Sequence, residues 1–144
     1  MKFLLSTLLL FSFSCFAQES DKRGTIKIEK TACTLVKGNE NVYSLVDVMP
    51  QFPGGIDSLN RWMFKNLKYP QTELNNSIKG TVFLSFVVGV DGSISDIIIF
   101  KGTNPSFDNE ALRLITLMPN WIPGKCNGTI VPVKMNFPIK FSLQ

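Results

Sequence analysis

Two apolar runs that meet at Asp91-Gly92 constrain the fold of this chain more than any other feature of its sequence. TVFLSFVVGV precedes this dipeptide, and SISDIIIF follows it. An Asp-Gly pair between two such runs is a strong signal for a β-hairpin, because both central residues of a tight turn need positive φ. Alternation along the first run predicts that Val82, Leu84, Phe86 and Val88 share one face. Phe83 and Val87 lie on the other face, so both faces are expected to be at least partly covered.

The last segment, TIVPVKMNFPIKFSL, is predicted to be a strand with one buried face, because its apolar residues alternate without a miss from 131 to 141. Proline cannot donate to a ladder, so two prolines on its other face place this strand at a sheet edge, along at least part of its length. An exposed edge can accept an extended peptide, but prolines and lysines there also protect against aggregation. The residues that would face a partner are Ile130, Pro132, Lys134, Asn136, Pro138 and Lys140.

A helix is predicted before the hairpin. Ile56, Leu59, Met63 and Leu67 have helical spacing, which predicts that they share one face. The helix should end before Pro70, because the residue before a proline avoids the helical region. A second, short helix is predicted to begin at this proline.

A further helix is predicted after the hairpin, with one apolar face made of Phe107, Ala111, Leu114 and Met118. Ser106 or Asp108 is expected to cap its start, and Pro119 is expected to end it.

The segment MPQFPGG, residues 49–55, is expected to be a packed hinge. Its prolines and adjacent glycines predict a loop, but Met49 and Phe52 are large apolar residues of the kind usually buried. We therefore expect Phe52 to pack beneath the first helix rather than to face a partner.

The order of elements is strand, helix, short helix, hairpin, helix and edge strand. This order predicts an α+β fold, in which two helices pack against a small antiparallel sheet made of the hairpin and the C-terminal edge strand. The folded domain is expected to span residues 46–144, preceded by a polar tether over residues 18–45.

Residues 1–17 are expected to be a cleaved secretory signal peptide, because a lysine is followed by an apolar run and then by polar sequence. The run is shorter than the ~20 apolar residues that span a bilayer. Two alternatives stay open: lipidation of Cys15 after a lipoprotein-type cleavage, or retention of the segment as an anchor. Cleavage would place the mature protein in the periplasm.

Cleavage would remove one lysine and no acidic residue, so the formal net charge would fall from +4 to +3. This mild basicity does not suggest a nucleic acid as partner. Cys33 and Cys126 would remain, and an oxidising compartment permits a disulfide between them. Two unpaired thiols are the alternative.

The chain offers little for catalysis. It has no histidine, which removes the commonest general base and the commonest metal ligand. Its two remaining cysteines are too far apart in sequence for a redox motif and too few for a zinc site. We therefore predict no enzymatic activity, no cofactor and no metal.

The ordered set of signals is similar to the TonB C-terminal domain family, over about residues 46–143. The upstream stretch VDVMPQFPGG resembles the Bacteroidetes branch of that family. The matching positions are Tyr69, Pro70, Ile78, Gly80, Val82, Phe86, Asp91, Gly92, Phe107, Asp108, Ala111, Leu112, Trp121, Pro123, Gly124, Pro138, Ile139 and Phe141.

The resemblance implies a periplasmic domain that transmits energy from the proton-driven ExbB–ExbD complex of the inner membrane to outer-membrane transporters. It implies that the transporter's short TonB box adds as a strand beside the last strand of the domain, here residues 130–140. A homodimer through the same edge is a further expectation.

Three departures from the family pattern leave the role open. The N-terminus looks cleavable, the spacer has no proline, and Glu73 stands where the family usually has alanine. The alternatives are a short energy transducer that keeps its anchor, a soluble or lipidated periplasmic adaptor, and a structural domain with a different partner.

Overall fold

The computed structural model describes residues 33–143. The predicted signal peptide, Cys15 and most of the predicted tether lie outside these residues. The strands are β1 (Thr34–Val36), β2 (Asn39–Leu45), β3 (Gly80–Val88), β4 (Ile94–Lys101), β5 (Gly124–Cys126), β6 (Thr129–Val131) and β7 (Val133–Phe141). The helices are α1 (Gly55–Asn66), α2 (Gln71–Asn75) and α3 (Pro105–Thr116).

The main sheet has five strands in the order β1-β2-β7-β3-β4, and β5 and β6 form a separate hairpin. The α+β class is confirmed, but the sheet is mixed, because β2 runs parallel to β7. Residues 34–36 and 39–45, which belong to the predicted tether, form β1 and β2. Their exposed, polar sequence carries little hydrophobic signal for a strand.

The core lies between the main sheet and the two longer helices. The apolar faces predicted for β3 and β7 are confirmed as buried. On β3 the opposite face is also covered in part, because Ser85 and Val87 are buried as well. The fully buried apolar positions on these strands are Val82, Leu84, Phe86, Val88, Val133, Ile139 and Phe141. From α3, Phe107, Ala111 and Leu114 complete the core, and Phe107 stacks on Phe141 with ring centroids 4.2 Å apart.

The hairpin between β3 and β4 is confirmed, but its turn differs from the predicted tight turn. The N–H of Gly92 donates to the carbonyl of Gly89, and only Gly92 has positive φ within the loop. This is the pattern of a three-residue loop that ends in a left-handed glycine. The hydroxyl and N–H of Ser93 donate to Asp91, which lowers the pKa of that carboxyl.

The predicted hinge is confirmed as packed. Phe52 is 6% exposed and lies between Trp62 and Trp121, with ring centroids 6.0 and 5.9 Å away. Gly54 and Gly55 both have positive φ, which explains why glycine is needed where the chain turns into α1.

The start of each long helix differs from prediction. Asn104, not Ser106 or Asp108, caps α3, since its side chain accepts a 2.8 Å hydrogen bond from the N–H of Phe107. In α1, the predicted apolar face is not buried throughout: Leu59 is buried, but Ile56 is 66% exposed.

Candidate functional site

The two sides of β7 have very different partners. On one side, β7 pairs with β3 along its full length, from Val133 opposite Val88 to Phe141 opposite Gly80. On the other side, β2 pairs with it at a single position, Tyr43 opposite Val133. β7, which the sequence predicts to be an edge strand, is therefore third in the order of the sheet. Among residues 33–143, however, no strand lies beside most of its side opposite β3.

Backbone geometry shows which residues face this open side. The carbonyl of Pro132 points toward β2, because it accepts a 2.9 Å hydrogen bond from the N–H of Tyr43. In an extended strand, the polar groups of alternate residues point the same way. Those of Asn136, Pro138 and Lys140 therefore face away from β3, and we call the backbone of residues 136–140 on this side the free edge.

The two prolines fit this arrangement. Pro132 and Pro138 both stand at positions whose N–H would point away from β3. Neither proline therefore removes a hydrogen bond from the β3–β7 ladder, which runs without interruption. Along the free edge, Asn136 and Lys140 each offer an N–H and a carbonyl, and Pro138 offers only a carbonyl.

An apolar groove of about 420 Å³ lies next to the free edge. Its walls are hinge residues 50–52 and the start of α1, which contributes Ile56. Trp121, Met135 and Phe137 complete its lining. Met135 and Phe137 flank Asn136 on β7. The side chains of this stretch therefore line the groove, and its backbone groups form part of the free edge.

Trp121 is the most enclosed polar side chain of the groove. It is 5% exposed and contacts Phe137, with ring centroids 6.4 Å apart. Its indole N–H has no acceptor among the described residues. An unpaired buried donor is unfavourable, since it loses its hydrogen bonds to water.

The opposite face of β7 is basic. Lys134, Asn136 and Lys140 alternate with the groove-facing residues, so their side chains project from the other face of the sheet. A strand placed along the free edge would therefore have an apolar surface on one face and Lys140 near the other.

Three of the six predicted partner-facing residues lie outside the free edge. Lys134 follows Val133, the residue that pairs with β2, and its side chain lines a second pocket with Asp96 and residues of β1 and β2. Ile130 belongs to β6, where it pairs with Lys125 in the β5–β6 hairpin. Pro132 lies between β6 and β7, and its carbonyl is already bonded to Tyr43. The alternation of apolar residues continues from β6 into β7 because both strands are extended. The alternation therefore does not show where β6 ends and β7 begins.

A disulfide joins Cys33 to Cys126, whose Cα atoms lie 6.0 Å apart. It fastens the start of β1 to the β5–β6 hairpin. Nearby, the N–H of Asn127 donates to Asp47 at 2.5 Å, which links the turn of the β5–β6 hairpin to the segment that follows β2. The two sulfurs and a carboxylate oxygen of Asp47 lie within 4.8 Å of one another, but disulfide sulfurs are not the thiolates that bind metals.

Comparison with known proteins identifies the family. The family model for the Gram-negative bacterial TonB protein C-terminal matches residues 65–143, which run from the end of α1 through β7.

The chain belongs to the TonB C-terminal family.

Proteins of this family are transport proteins that interact with outer-membrane transporters and are periplasmic or membrane-associated. The family match covers β3, β4, α3 and β7, so it includes the free edge. The hinge and the start of α1 precede it, so one wall of the groove lies outside the matched region.

Two solution structures of the Helicobacter pylori TonB C-terminal domain are similar to this chain. The longer fragment is 26% identical with a TM-score of 0.46, and the match covers 64% of this chain and 87% of that one. The shorter fragment is 25% identical with a TM-score of 0.47, and the match covers 60% of this chain and 90% of that one. A search of curated proteins found no significant match. Among residues 33–143, no helix has both the length and the apolar character needed to span a bilayer.

Proposed function

We propose that this TonB C-terminal domain binds the TonB box of an outer-membrane transporter as an added strand along the free edge of β7. The observation that carries the proposal is the open side of β7, where β2 pairs only at Val133. Main-chain hydrogen bonds to an exposed edge are a common way to bind an extended peptide. The edge is held in register by the complete β3–β7 ladder on its other side.

The proposed setting is the periplasm. The disulfide between Cys33 and Cys126 supports this location, because disulfides persist in oxidising compartments and are rare in the cytosol. We further propose that binding serves energy-dependent transport, with the ExbB–ExbD complex as the source of energy if residues 1–17 are retained as an anchor.

Amide hydrogen exchange tests the binding site. In the free mature chain, the N–H groups of Asn136 and Lys140 should exchange rapidly with solvent, and synthetic TonB-box peptides should slow them. Slow exchange of both amides before peptide is added would mean that the edge already has a partner. That result, or a peptide that leaves both amides unchanged, would overturn the proposal.

A pair of variants separates backbone binding from side-chain effects. Asn136→Pro removes one edge-facing N–H and keeps the β3 ladder, so peptide affinity should fall about tenfold. Asn136→Thr keeps the N–H and should bind like the native chain. If Asn136→Pro does not fold, the exchange measurement on the native chain still decides the question; equal affinity of two folded variants would contradict strand addition.

A soluble or lipidated adaptor that does not transduce energy is the second candidate. The observation that favours it is the disulfide at Cys33, which makes the folded part begin well before the predicted boundary at residue 46. Residues 18–32 lie between the predicted signal segment and the disulfide, and even at full extension they would reach only roughly 50 Å. This reach is about half of what a tether over residues 18–45 would give.

A further inference from the structure

We infer that the groove beside β7 selects among peptides by accepting an apolar side chain of the strand that adds to the free edge. This inference rests on the proposed function and goes beyond it, because it assigns specificity to the hinge and the start of α1. Both precede the region that matches the family model. The occupant is an extended peptide with apolar residues on its groove face.

The geometry of a strand leads to this occupant. Side chains of neighbouring strands in a sheet lie side by side on the same face. The groove-facing side chains of β7 next to the free edge are Met135 and Phe137, and both are only partly buried. A strand hydrogen-bonded to Asn136 must therefore place every second side chain beside them, above the groove.

Two features of the groove indicate that it is incomplete without a partner. Ile56 lies at the groove and is 66% exposed, although helical spacing predicts it on the apolar face of α1. Trp121 also lines the groove, and its buried indole N–H has no acceptor among residues 33–143. An occupant would cover the isoleucine and lie against the tryptophan.

Charge indicates what the other face of the peptide should carry. Lys140 lies on the free edge and projects from the face of β7 opposite the groove. Lys134 projects from the same face, but it lines a second pocket with Asp96 and residues of β1 and β2. Opposite charges on neighbouring strands stabilise pairing, and like charges weaken it. The best occupant therefore alternates apolar residues with acidic ones.

The test is a binding cycle with two synthetic peptides and two variants of the mature chain. One capped peptide alternates valine with glutamate, and the other replaces each valine by serine. Ile56→Gln alters the groove wall, and Phe64→Gln is the matched control, because Phe64 is a 75% exposed apolar residue of α1 that does not line the groove. Both substituted side chains are exposed, so both variants should remain folded.

The valine peptide should bind the native chain at least about tenfold more tightly than the serine peptide. Ile56→Gln should reduce this preference several-fold, and Phe64→Gln should leave it unchanged. The indole N–H resonance of Trp121 should shift with the valine peptide; because the chain has only two tryptophans, its signal is readily assigned.

The outcomes separate this inference from the proposed function. If both peptides shift the amides of Asn136 and Lys140 with equal affinity, strand addition stands and groove selection is wrong. If neither peptide affects these amides and TonB-box peptides also fail to do so, the proposed function itself fails. A preference that survives Ile56→Gln unchanged would also overturn the role of the groove.

Discussion

The hinge, residues 49–55, both packs against the core and lines the groove beside β7. Phe52 belongs to a segment rich in proline and glycine, yet its ring is enclosed by Trp62 and Trp121. Its neighbours Pro50 and Gln51 line the groove. The hinge therefore fixes α1 through Phe52 and presents a groove wall beside it.

Replacing Phe52 by alanine should lower the free energy of unfolding by ~3–5 kcal/mol, because a buried aromatic side chain is lost and a cavity remains. Urea denaturation monitored by circular dichroism measures this change. Phe64→Ala is the control, since Phe64 is exposed, and it should change stability by less than about 1 kcal/mol. A small loss for Phe52→Ala would show that the hinge does not hold α1.

Glu110 should make stability depend on pH. Its burial opposes ionisation, but hydrogen bonds from Arg113 and from the N–H of Lys68 outweigh this effect and hold its pKa below the ordinary 4.5. A carboxyl with a lowered folded-state pKa stabilises the fold above its unfolded pKa and loses that contribution as pH falls through the folded value. The loss should therefore occur below about pH 4.5.

Chemical denaturation of the native chain and Glu110→Gln checks this effect. The native chain should be more stable near neutral pH, and the difference should shrink as pH falls below about 4. A difference that is independent of pH would mean that the ionised carboxylate is not the stabilising form.

At the scale of elements, the β1–β2 hairpin depends on links that are distant in sequence. Its pairing with β7 is a single residue pair, and most of its side chains are exposed. The disulfide spans 93 residues between Cys33 and Cys126, so it holds the hairpin where few apolar contacts can.

Removing the disulfide should lower the free energy of unfolding by about 4 kcal/mol, because the reduced chain regains loop entropy when unfolded. The double variant Cys33→Ser, Cys126→Ser should therefore unfold at lower urea than the native chain. A reducing agent should lower the native midpoint to a similar extent and leave the double variant unchanged. Equal stability of native and double-variant chains under oxidising conditions would contradict a stabilising role.

At the scale of the whole molecule, the role depends on what becomes of residues 1–17. Intact-mass analysis of the protein from its native membranes and periplasm distinguishes the three expectations. We expect a mature chain that begins at Gln18, because the segment has the pattern of a signal peptide. Retention of Met1 would instead support an anchored energy transducer, and a lipid on Cys15 would support an anchored adaptor.

The sequence is enough to predict the hairpin, the positions of α1 and α3, and the buried faces of β3 and β7. These follow from local patterns: an Asp-Gly turn between apolar runs, helical spacing, and strict alternation. Such patterns report burial directly, because a side chain's face follows from its position in a helix or strand. The N-cap of α3 was missed because several polar residues lie near its start, and only the backbone shows that Asn104 is extended.

The order of the strands in the sheet follows only from the folded structure. The prolines of the last strand indicate positions that cannot donate a hydrogen bond. They do not indicate that β2 pairs only with Val133, so that no described strand pairs with the free edge at residues 136–140. The groove also required the fold, since Ile56, Trp121 and Met135 are far apart in sequence. Strand order and groove walls depend on contacts between distant segments, and no local pattern encodes such contacts.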